Sequence, residues 1–212
     1  MRRAVVAASF VALLFATAAS PALADTSAQT VNTYVYGASF SFVDRGQTWT
    51  GIGQIEDDRL HGVELASFFF SGSGPEKVCD AGTPDDPSDD YAGNDFIEFD
   101  PTSTRLIDSS VRSDLGAAKF SMAVNGLRYR FDACTGELIE ARHEHHTFSM
   151  ALTGTTDLQT ESNSILIDNG DGTFSAGTQT FSFRTAAGKA SVDSIRASVS
   201  DGWIQHVVIT RD

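Results

Sequence analysis

The sequence predicts an all-β chain, a single-domain antiparallel β-sandwich of about ten strands, with a closed β-barrel as the alternative. Three observations lead there. Apolar residues alternate with period two in one segment after another, no stretch holds a helical stripe, and short runs are separated by Gly, Asp and Asn turns. Apolar residues at 41% and charged residues at 20% match ordinary globular usage, which excludes wholesale disorder.

Taken in order, Arg2 and Arg3 precede an apolar stretch from Ala4 to Ala19, and Ala22-Leu23-Ala24 fits the small-x-small rule of signal peptidase. Residues 1–24 therefore read as a signal peptide, residues 25–212 as one exported domain beginning at Asp25, and the expected localisation is secreted. Tyr34, Tyr36, Ala38, Phe40 and Phe42 share one face of a long first strand. Val63, Leu65 and Phe69 are expected on one face of a second, ending at Phe68-Phe69-Phe70. The Gly- and Pro-rich connection from Ser71 to Asn94 has no periodicity and reads as a loop. Asn125-Gly126 suits a type I′ hairpin pairing Val124 with Leu127, Met122 with Tyr129 and Phe120 with Phe131 on one face. Phe148, Met150 and Leu152, then Ile165 and Ile167, then Phe181 and Phe183 mark further strands. A turn is expected between Ile167 and Phe174, and Asp201-Gly202 suggests a closing hairpin that sets Ala197 opposite His206.

Charge and cysteine content narrow the partners. The net charge is −13, and loss of Arg2 and Arg3 with the leader takes it to −15. No cluster of cations offers a footprint for phosphates, so nucleic acid is not an expected partner. No apolar run beyond residue 24 approaches the ~18 residues of a membrane span, and a monomer is expected. Cys79 and Cys134 form an even pair in an oxidising compartment and read as a disulfide.

Two clusters have metal-ligating chemistry. His143 and His145 would project from one face of a strand, with Glu140 or His206 as a third donor to Zn²⁺. The apolar phase switches from odd at Ile139 and Ala141 to even at Phe148, which predicts a turn or bulge that splays the imidazoles. Eight acids lie between Asp80 and Asp100 without a Lys or Arg, and Asp85, Asp89, Asp90 and Asp95 are the candidate Ca²⁺ donors. Adjacent Asp pairs point apart in extended backbone, so a solvated loop is preferred and no cofactor is expected. G-x-S-x-G, phosphate-binding loops and a paired-carboxylate glycosidase arrangement are all missing.

Cys134-Thr135-Gly136-Glu137, the T-G-x-x-D-L stretch from Thr153 to Leu158, and Arg184-Thr185-Ala186-Ala187-Gly188-Lys189-Ala190-Ser191 together resemble a group of secreted bacterial β-proteins without an assigned activity. Those carry W-T-G-T-G-x-L followed by R-x-A-x-A-S-G, and here Leu152 replaces the Trp and Thr156 the second Gly. The resemblance implies a shared fold and transfers no catalytic residue. The expected function is that of an exported, non-catalytic binding or structural module of the extracellular space or envelope. The alternatives are a metal-dependent hydrolase at His143 and His145, and a β-barrel carrier of an apolar ligand.

Overall fold

The computed structural model describes residues 30–59, 62–80 and 90–211, so the expected leader at 1–24 lies outside them. Among the described residues nine strands follow one another: β1 (Thr30–Asp44), β2 (Gln47–Asp58), β3 (Gly62–Cys79), β4 (Tyr91–Val111), β5 (Ala117–Phe131), β6 (Leu138–Gly154), β7 (Gln159–Asp168), β8 (Phe174–Val192) and β9 (Ile195–Arg211). All pairings are antiparallel, in the order β6-β5-β4-β3-β2-β1-β9-β8-β7, and β6 also pairs with β8. Among the described residues no helix is long and apolar enough to cross a membrane.

The pairings make a ring, but not a closed barrel. β3 and β4 are bonded only from Phe70↔Phe99 to Cys79↔Tyr91, which leaves the first half of β3 and the second half of β4 unpaired to each other. On the far side β6 covers β8 over Phe148↔Val192 to Gly154↔Ala186, and β7 continues along the rest of β8. Across the ring, non-neighbouring strands press together as two layers. Phe148 of β6 packs 4.9 Å from Phe40 of β1 and 4.7 Å from Phe68 of β3, and Tyr36 of β1 meets Phe120 of β5 at 5.8 Å, centroid to centroid. The interior is filled by these rings, which is the sandwich solution for a sheet with one apolar face.

The face predicted for β1 is the buried one, from Tyr34 to Phe42. The turn expected before Phe174 is also present, with Asp168 opposite Phe174. Other expectations are corrected by tertiary contacts. Asn125-Gly126 is no turn but lies inside β5, paired to β4 on one side and β6 on the other. Gly126 is required because the Asp100 carbonyl and the Phe99 ring sit 2.3 and 2.5 Å from where a Cβ would be. Phe120, Met122 and Val124 are therefore buried, whereas Leu127, Tyr129 and Phe131 alternate onto the outer face. Asp201-Gly202 is a bulge inside β9, marked by Asp201 at φ 48° and a register shift against β1 and β8. Ala197 and His206 therefore share a strand.

Among the described residues the two-residue turns are Arg45-Gly46 and Asp193-Ser194, each with positive φ at both positions. β3 runs on to Cys79 and β4 begins at Tyr91, so most of the expected loop from Ser71 to Asn94 is strand. Its alternation is hidden because Gly72 and Gly74 replace inward side chains. On β3 the buried rings are Phe68 and Phe70, and Phe69 is 42% exposed, which inverts the predicted phase.

Candidate functional site

The sequence-nominated residues fall into separate places. Cys79, at the end of β3, and Cys134, in the β5–β6 turn, form the disulfide. Asp95 is fully buried on β4 and is held by cations of this chain. Lys77 Nζ lies 2.8 Å from its Oδ1, Arg130 donates from Nε and Nη2 to Oδ2, and the Ala133 amide donates to Oδ1 at 3.1 Å. Lys77 also pairs with Asp132 at 2.6 Å, whose other oxygen accepts from the Cys134 and Thr135 amides. Lys77 and these amides pull Asp132 down to about 2, and Lys77 and Arg130 likewise lower Asp95. Asp95 is thus the hub of an ion-pair network and offers no oxygen to calcium. Asp90 is exposed just before β4, and Asp85 and Asp89 lie outside the described residues.

The histidines do not converge either. His143 and His145 are exposed on β6, with His145 Nδ1 2.9 Å from Asn125 Oδ1. His206 of β9 stacks on Tyr34 at 4.2 Å and bonds to Asn32, and burial with the Arg59 charge lowers its pKa. No group of three His, Cys, Asp or Glu among the described residues is arranged to hold a metal ion. The phase break expected within the histidine cluster is not there: β6 pairs in regular register from Glu140 onward, and its one register shift lies earlier, at Ile139. Even positions face inward from Glu144 through Leu152, and Ile139 and Ala141 are simply outward apolar residues.

That continuous phase carries His146, which sequence reasoning passed over, to the rim of the core. Its ring stands edge-on to Phe70 and Phe99, at 5.1 and 4.8 Å. Nδ1 is 2.6 Å from Asp193 and Nε2 is 3.0 Å from Glu144. Both partners are carboxylates, so both ring nitrogens must donate, and only the imidazolium does that. Burial opposes the charge, but Glu144 and Asp193 outweigh it and raise the pKa above the ordinary histidine value. Glu144 in turn meets Arg142 at 2.6 Å and Arg128 at 3.8 Å, and Arg128 lies over Trp49.

A raised histidine stabilises fully below its unfolded pKa, and this contribution fades as pH rises through the folded one. His146→Gln is expected to cost about 1.5–3 kcal/mol at about pH 5.5, the worth of hydrogen bonds to a charged group, and clearly less at about pH 8.5. Urea unfolding of both proteins at the two pH values measures this; an equal cost at both would mean a neutral ring.

The outer face of the same layer carries a different chemistry. The register sets Ser121 of β5, Ser149 of β6, Ser191 of β8 and Arg196 of β9 side by side, with Asp108 of β4 at the near end. Two residues along the strands, Lys119, Ala151 and Lys189 form the next row. With Ser194 they line an open groove of about 590 Å³. Lys119 pairs with Asp108 at 3.0 Å, and both are more than half exposed, so this bridge adds little. Among the described residues Lys189 and Arg196 make no ion pair.

These groove residues were invisible to motif search, because they come from five strands spread over residues 108–196. The one trace is the repeated K-x-S at Lys119–Ser121 and Lys189–Ser191, which pairing through β6 brings into register. No family model, curated protein or solved structure matches the chain.

Proposed function

We propose that this chain is an exported, non-catalytic β-domain that acts as a binding module in the extracellular space or on the envelope, engaging its ligand on the outer face of β5, β6, β8 and β9. The groove over those strands carries this reading, because it brings polar side chains from five strands, β4 included, together facing solvent. Ladder pairing on both sides of β6 and β8 fixes its floor, a pre-organised surface that loses little entropy on binding. An internal carrier finds less support, since Phe40, Phe68, Phe120 and Phe148 occupy the space a ligand would need.

The test is a glycan and matrix-polymer array probed with the exported protein, whose mass should correspond to a chain starting at Asp25. Saturable binding without product formation is the expected result. Turnover of an ester, phosphate or glycoside substrate, with no polymer bound, would replace the module by an enzyme.

A further inference from the structure

We infer that the groove between Asp108 and Arg196 is an anion-binding site, and that its ligand is a linear acidic polysaccharide lying across the strands. The inference rests on the binding-module reading and gives it a ligand class.

Charge comes first. On a chain of net charge −13, three cations gather around this groove with one carboxylate, Asp108. Asp108 is engaged by Lys119, so Lys189 and Arg196 keep their charges available to an outside group. The spacing follows from the ladder. Lys119 and Lys189 are two strands apart, about 9.5 Å, and Lys189 and Arg196 are diagonal neighbours at about 7–8 Å. Cations so spread meet separate charged units of a chain more readily than they enclose a single small anion.

The floor supplies the second half of the recognition. Ser121, Ser149 and Ser191 stand on three adjacent strands, and their hydroxyls both donate to oxyanions and accept from sugar hydroxyls. Being short, they leave the floor shallow, with the cations raised beside it. The aromatic platform that neutral sugars or nucleobases stack on is missing from this lining, where Phe120 is 3% exposed and turned into the core. Recognition here is therefore ionic and hydroxyl-mediated, and weakens with salt.

The full chain is titrated, at low and at physiological salt, with dextran sulfate, polygalacturonate, neutral dextran and a single-stranded DNA oligomer. The variants are Lys189→Glu with Arg196→Glu, and Arg59→Glu with Arg211→Glu as a control of equal net charge at the opposite end of β1 and β9, away from the groove. At least one acidic polysaccharide is expected to bind, neutral dextran not, and the groove variant to lose about tenfold or more in affinity. The control should lose under about twofold, as for exposed charges outside a contact, and all variants should melt with the parent. Equal binding of neutral dextran, DNA bound as tightly as the polysaccharides, or equal losses in both variants would overturn the proposal. A chain that binds only neutral glycans sinks the groove assignment and leaves the module reading standing; one that binds no polymer sinks both.

Discussion

Phe148→Ala is expected to remove about 3–5 kcal/mol of stability, the range for truncating a buried aromatic side chain. The whole domain has only about 5–15 kcal/mol to lose, so this one change brings it near the edge of folding. Phe148 is fully buried and lies where the two layers meet, with Phe40, Phe68 and Phe120 rings within 4.7–5.7 Å. Gly53 on β2 makes room for it, since a Cβ there would stand 2.3 Å from the Phe148 ring. The cavity left by alanine is walled by stacked rings that are themselves pinned by ladder pairing, so little collapse can offset it. Urea unfolding should show a lower midpoint at an unchanged slope. A loss below about 1 kcal/mol would mean that the layers do not rely on this contact. Gly53→Val tests the same contact from the other side and should cost about 1–3 kcal/mol by overpacking.

How much of this was legible from sequence depends on the range of the contact that decides each feature. The inward faces of β1 and of Phe148–Leu152 were readable, because period-two burial is local and both segments end in large apolar residues. The Asn125-Gly126 and Asp201-Gly202 pairs misled for a physical reason. A glycine needed for φ in a turn and a glycine needed for space beneath Phe99 or Ala186 look the same in sequence. Arg45-Gly46 and Asp193-Ser194, which do make the tight turns, are weaker signals by composition. His146 was within reach: Phe148, Met150 and Leu152 set an even phase, and extending it back two residues points His146 inward, not His143 or His145. The groove was out of reach, since it exists only once the register of β5, β6, β8 and β9 is known.

The second large effect is expected at the disulfide. Cys79→Ala with Cys134→Ala should cost about 2–5 kcal/mol, because the bridge closes a long loop and restricts the unfolded chain. The two sulfurs join positions 55 apart in sequence, linking the end of β3 to the β5–β6 turn over the first residues of β4. The same corner has a second, non-covalent clasp. Lys77 sits two residues before Cys79 and Asp132 two before Cys134, and Lys77 joins Asp132 to buried Asp95. The aspartate pKa values are depressed, with Asp132 at about 2, so the clasp is at full strength above the ordinary aspartate range near 3.9 and is lost as pH falls through about 2. At neutral pH the double-alanine protein should therefore stay folded with a lower melting temperature, the ion pairs holding what the bridge no longer does. In acid both restraints go together. An acid titration followed by circular dichroism should place the unfolding midpoint of the double-alanine protein at a higher pH than that of the parent. Coincident acid midpoints would mean that the bridge and the Lys77–Asp95–Asp132 cluster do not restrain the same corner.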